Sequence, residues 1–188
     1  MTAASFTKAT GMGPLPRTLE SAHGARAVER VFNAEGLPLW LAHDQGSHIP
    51  LRSMMGLFER AAREMGEDLF GLHVGLAMQP EDYGPVVRYM MSAPDLRTMI
   101  QRSVRSLHYH ASGCYFSLEF SGRLARWGIR TDDPSSFGIR QHRDHLLHPM
   151  LRALRRYLGP KWSPIRVELE YDRGASPIIA SSAPSCFI

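Results

Sequence analysis

The stretch Tyr89–His110, "YMMSAPDLRTMIQRSVRSLHYH", decides how the rest of the chain is read. Ser92 and Asp95 have the spacing of a capping box, and Pro94 falls where a first helical turn tolerates a missing N–H. Leu96, Met99, Ile100, Val104 and Leu107 then recur at helical spacing, with Arg97, Gln101, Arg102 and Arg105 on the opposite face. The pattern predicts an amphipathic helix that covers another element and ends near two histidines, His108 and His110.

Beyond His110 the period changes from helical to alternating. In "CYFSLEFSGRLARWGIRT", Phe116, Leu118 and Phe120 share one face and Tyr115, Ser117 and Glu119 the other. Ser121-Gly122 reads as a tight turn, and a return strand from Leu124 to Ile129 completes an antiparallel hairpin. "DDPSSFGIRQHRDHLLHPMLRALRRYLGP" follows as a long helix opened by Ser135 or Ser136 and closed by Gly159 and Pro160. Its expected buried side is Ile139, Leu146, Leu147, Met150, Leu154 and Leu158, with a kink or a break at Pro149. The alternating "IRVELEY" is expected to add a strand to the hairpin.

Upstream the pattern is helical. A helix is expected from Thr18 through Val28, Val31 and Phe32 to Gly36. "IPLRSMMGLFERAAREMG" gives another, with Met54, Leu57, Phe58, Ala61 and Met65 on one stripe and Gly66 as its stop. In "EDLFGLHVG", Asp68 is placed to cap a short helix that buries Leu69, Leu72 and the body of His73. Residues 1–17, punctuated by Gly11, Gly13, Pro14 and Pro16, read as a flexible leader outside the fold. The fold class is therefore α+β, a helical N-terminal half followed by a small antiparallel sheet crossed by a long helix.

Composition sets the outer limits. A chain of 188 residues with 44% hydrophobic and 21% charged residues suits one compact domain. The net charge of +4 is almost all arginine, since lysine occurs only at Lys8 and Lys161, and the arginines are scattered rather than gathered into a basic stripe. Direct DNA binding by this chain is disfavoured. Cys114 and Cys186 cannot supply a disulfide framework or a zinc site, and no secretory segment opens the chain, so a cytoplasmic location is expected. The apolar runs are too short to cross a bilayer, so no membrane partner is expected.

The order of elements resembles the N-terminal sensing and dimerisation domain of AraC-type transcriptional regulators, the arabinose-binding-like group. The stretches that carry the resemblance are "AEGLPLWLA", "IPLRSMMGLFERAAREMGEDLFGLHVGLAM", "YGPVVRYMMSAPDLRTMIQRSVRSLHYH" and "LRALRRYLGPKWSPIRVELEY", spanning about Val28 to Tyr171. The resemblance implies a domain over residues 18–172 that senses a small-molecule effector and forms a homodimer, with DNA read by a C-terminal helix-turn-helix half. After Tyr171 the chain departs from the family pattern, so residues 173–188 are expected to be an irregular, truncated tail lacking that half.

Several residues could carry chemistry. His108, His110, Tyr115 and Trp127 are the candidate ligand-binding residues, at the junction of helix and hairpin, where apolar walls meet a few polar groups. The favoured reading of the two histidines, however, makes them a helix cap and puts Tyr109 in the core. His142, His145 and His148 are weak metal candidates by their three-residue spacing, but they lack the H-E-x-x-H arrangement, and a partly exposed polar edge is the favoured reading, with Asp144 pointing away. Cys114 beside histidines invites a nucleophile, yet a small buried hydrophobe fits an alternating strand better. No phosphate loop, dinucleotide fingerprint or nucleophile elbow occurs, so neither an enzyme nor a cofactor is expected. The alternative function is a stand-alone small-molecule or metal-binding protein.

Overall fold

The computed structural model describes residues 5–169. Its elements, in order, are strand β1 (Phe6–Lys8), helices α1 (Leu15–His23) and α2 (Ala25–Ala34), strand β2 (His48–Pro50), helices α3 (Leu51–Met65), α4 (Phe70–Ala77), α5 (Pro85–Met91) and α6 (Leu96–Ser106), hairpin strands β3 (Cys114–Ser121) and β4 (Leu124–Thr131), and helix α7 (Ile139–Leu158). β1 pairs antiparallel with β2, and β3 with β4. The architecture is α+β, and no helix among the described residues is long and apolar enough to cross a membrane.

α3 is the centre of the molecule. Leu57, Phe58 and Ala61 are fully buried against Phe32 of α2 and Leu15 and Leu19 of α1. Its other flank, with Leu51 and Met55, faces Met90, Leu107 and Cys114. Gly66 ends it in the left-handed conformation (φ 65°) with its N–H on the last turn.

The leader expected over residues 1–17 is folded from residue 5 onward. Ala9, Met12 and Leu15 are fully buried, and Thr7 bridges to Ala111 beside β2. Lys8 donates its backbone N–H to the carbonyl of His110 (2.9 Å), and Ser112 donates to Phe6 (2.9 Å). The glycines and prolines that suggested disorder instead turn the chain between buried apolar side chains. The single helix expected up to Gly36 is two, α1 and α2, broken at Gly24.

α7 is one helix through Pro149, starting at Gly138 (φ 83°) rather than at Ser135 or Ser136. It lies directly on α4. A Cβ added at Gly71 would overlap the carbonyl oxygen of Gln141, and one at Gly75 that of His145. The His145 carbonyl is the one whose helical partner Pro149 removes, so Gly75 sits against the spot where the helix lacks a hydrogen bond. Gln141 fixes the start of α4, accepting from the Gly71 N–H (2.8 Å) and donating to the Asp68 carbonyl (2.9 Å). Arg152 closes its end by donating to the carbonyls of Leu76 (2.8 Å) and Met78. The expected Asp68 cap does not form, since Leu69 is the cap residue and Asp68 is exposed beside Arg140. His73 is also exposed and Leu69 and Leu72 half-buried, because Phe70, Gly71, Val74 and Gly75 take the inner face.

α6 also differs from expectation in detail. Asp95, not Ser92, is the cap, its carboxylate accepting from the N–H of Thr98 (2.8 Å), and Pro94 lies before it. Ser103 replaces Val104 on the buried face, its hydroxyl donating to the Ile100 carbonyl (2.7 Å), while Val104 is exposed. The hairpin turns through Gly122 and Arg123 between the pair Ser121 and Leu124, and Phe120 near its tip is 75% exposed. Residues 165–169 of the expected third strand carry no strand pairing. The rest of that stretch and the expected tail 173–188 lie outside the described residues.

Candidate functional site

Of the expected buried side of α7, only Leu154 is fully buried, and most of the core face is made of other residues. Its buried residues are Gln141, His142, Arg143, Asp144, His145, Pro149, Ala153 and Leu154, whereas Leu146 and Leu147 are half-buried and Leu158 is exposed. The histidines expected at a polar edge are therefore inside: His145 is 1% and His142 8% exposed, and only His148 is half-buried. Asp144, expected to point away, is buried as well. The helix turns this face inward because it is held there at both levels by α4, through Gln141 below and Arg152 above.

The two buried histidines sit in an aromatic stack. His145 lies parallel to Phe58 (centroids 4.2 Å apart, 22°), and His142 meets both Phe58 (5.9 Å) and His145 (4.8 Å) edge-on. Tyr83 lies 6.0 Å from His145 and 5.8 Å from His110. These rings form one end of a cavity of about 90 Å³ bounded by α3, α5, α6, the hairpin and α7. That is room for about six waters at the space one water needs. Apart from this end the walls are mainly apolar, with Met90, Met91 and Met99 from α5 and α6, Phe116 and Ile129 from the hairpin, and Ala153 and Met150 from α7, while Thr7, Ser103 and Trp127 add single polar atoms.

Burial sets the charge state of the site. It pushes His110 down to about 4, helped by Lys8 and His48 nearby, and His145 down to about 3, with the carbonyl of His142 opposing the effect only in part. His142 is lowered well below its ordinary value for the same reason. Desolvation strongly raises the Tyr83 hydroxyl and also raises the Cys114 thiol. Near neutral pH the site thus holds neutral imidazoles, a protonated phenol and a protonated thiol.

Four of these polar groups lack a partner. The Tyr83 hydroxyl, the Trp127 Nε1–H and the Nδ1 atoms of His110 and His142 are buried and make no hydrogen bond, and the Nδ1 of His145 makes none of good geometry. All five residues line the same cavity. Among the described residues no lysine, arginine or carboxylate lines it, and no group of three or more His, Cys, Asp or Glu side chains is arranged to hold a metal ion.

Two of the four candidate ligand-binding residues come together there. His110 is 6% exposed, carried inward by the last turn after α6 and fixed through its carbonyl by β1; Trp127 is 7% exposed and stacks on Phe116 (4.9 Å, 19°). His108 and Tyr115 lie elsewhere. His108 rests on Tyr109 at the surface (4.0 Å), and Tyr115 turns its hydroxyl outward to Asp132 (2.9 Å). The helix-cap reading fails at its core residue, since Tyr109 is 65% exposed and His110 takes the inside. Sequence reasoning missed Tyr83 altogether and placed His142 and His145 outside. The available signal was the alternative stripe Gln141, His142, His145, Pro149 and Ala153, which has helical spacing but is not apolar.

No curated protein matches the chain significantly. The chain does match, over residues 26–181, the family described as the arabinose-binding domain of AraC transcription regulators, N-terminal, so the expected resemblance holds across α2 to α7. The cavity lies within the matched span except where Thr7 and Gly11 close it. By a match covering most of its length, the chain belongs to the family of N-terminal arabinose-binding domains of AraC transcription regulators.

Proposed function

We propose that this domain is the effector-sensing and dimerisation module of an AraC-type transcriptional regulator, acting in the cytoplasm, and that the cavity is where the effector binds. The observation that carries the reading is the convergence of unpartnered buried polar groups on one apolar cavity. Each such group costs about 1–3 kcal/mol when left unpaired, and a bound molecule that pairs with them relieves that cost. A concave apolar wall with a few convergent polar atoms is also the usual form of a small-molecule site. The family description supports an effector of that size class and names arabinose.

The domain would signal by a population shift. α7 and the hairpin both line the cavity, so a ligand touching both favours the arrangement in which they stand at that spacing. Only such a differential affinity can bias the dimer or the seating of a DNA-binding half, through which DNA would be reached.

Native mass spectrometry of the protein isolated from its own cells tests the reading. The expected result is a dimer carrying a small non-covalent adduct that is lost in His110→Phe. A monomer with no adduct, unchanged after incubation with a small-molecule extract of the same cells, would overturn it.

A further inference from the structure

Resting on the reading of the cavity as the effector site, we infer that the effector is an uncharged, mainly apolar molecule with a single hydrogen-bond-accepting head of the carbonyl type, and not a sugar. The polar atoms are unevenly placed. Tyr83, His110, His142 and His145 cluster at one end, their rings within 4.8–6.0 Å of a neighbour in the group, while methionine, leucine, isoleucine and phenylalanine make up most of the remaining wall. A polyol carries hydroxyls on every side, and those facing Met99, Leu107 and Ile129 would be buried unpaired.

Donor and acceptor types point the same way. The Trp127 indole can only donate, and the Tyr83 phenol, kept protonated by burial, is a ready donor. Sugar hydroxyls need acceptors for their protons on every side, yet no carboxylate or amide side chain lines the cavity among the described residues, and the acceptors there are the clustered imidazoles and the hydroxyls of Thr7 and Ser103. A carboxylate ligand has the opposite difficulty. No cation lines the cavity, and burying an anion without a counter-charge is strongly unfavourable. The histidines could answer it only by taking up a proton that burial disfavours. A ketone, lactone or ester meets neither obstacle: its oxygen accepts from Tyr83 and an imidazole N–H, and its body lies among methionines, which adapt to irregular shapes.

The test uses the whole chain labelled at the methionine methyls, titrated with 2-pentanone, with butyrate and glycerol as size-matched anion and polyol, and with L-arabinose. Met90, Met91 and Met99 line the cavity and Met12 and Met65 do not, so the methyl spectrum reports location as well as binding. The expected result is saturable, millimolar binding of 2-pentanone that shifts the first three methyls and not the last two. Tyr83→Phe should weaken it about tenfold, equivalent to one hydrogen bond, and Ala153→Phe, which fills the space, should abolish it. Tighter binding of butyrate, glycerol or L-arabinose at the same methyls would overturn the ligand class and leave the site standing. If no probe moves the cavity methyls, both the class and the site are wrong.

Discussion

The two flanks of α3 are built on opposite rules. On the side of α1 and α2, Leu15, Leu19, Phe32 and Leu57 meet with no exposed surface, and the only demand on the sequence is volume. On the side of α6, the hairpin and α7, the same helix meets a cavity walled by methionines and ended by imidazoles. The first flank gains from every contact it makes. The second gives up contacts and hydrogen bonds, and the difference separates what holds the domain together from where the proposed effector would bind.

Truncations on the two flanks give the largest effects and the sharpest test of that contrast. Phe32→Ala should cost about 3–5 kcal/mol, and Met90→Ala only about 2 kcal/mol, because part of the space around Met90 is already empty. Thermal or urea unfolding would read both, and equal costs would break the comparison.

Acid should act through the cavity flank. A histidine whose pKa is lowered in the folded state binds its proton preferentially in the unfolded chain. Its stabilisation is therefore complete above the unfolded value near 6.5 and is lost as pH falls toward the folded value. With His110 at about 4, the loss between pH 6.5 and 4 amounts to about 3 kcal/mol from that residue alone. His145, at about 3, extends the window further down. Unfolding midpoints measured from pH 7.5 to 4 should show this slope, and it should shrink in His110→Phe.

The next effect has the unusual sign. His142→Leu should stabilise the fold by about 1 kcal/mol, since it replaces a buried group without a partner by an apolar one of similar size. A destabilised variant would mean that the imidazole is satisfied after all, and the contrast between the flanks would weaken. Away from both flanks the effects become small. Asp95→Ala should lower Tm by about 2–4 °C through loss of the α6 cap, and His108→Ala, on the surface, should change stability by less than about 0.5 kcal/mol.

The legibility of the sequence follows the same division. α3 and the hairpin were readable because an apolar stripe and an alternating run each report directly which face goes inside. α7 was readable in its end at Gly159 but not in its start, which lies at Gly138 rather than at Ser135 or Ser136, and not in orientation. Its leucines form a stripe that competes with the true one, and the winner is fixed by Gly71 and Gly75 on a helix far away in sequence. Periodicity cannot see that a polar residue has been buried on purpose. β1 was missed for another reason: three residues have no period, and the strand exists only through partners at residues 48–50 and 111. Of the site, His110 and Trp127 could be found from their neighbourhood in the chain, whereas Tyr83, His142 and His145 reach it only through tertiary packing.

The short strand that clasps His110 also bears on where this domain can be cut. The family match begins at residue 26, and a protein engineer who trimmed the chain there would remove the backbone donor at Lys8 that fixes the His110 carbonyl, the bridge from Thr7 to Ala111, and the glycine at position 11 that lies beside the imidazole. The excised piece would keep every helix from α2 onward, short of Ala25, and lose the part of the cavity lining that Thr7 and Gly11 supply. Tags and fusions joined ahead of Phe6 act on the same lining, so the opposite end of the chain is the better place for them.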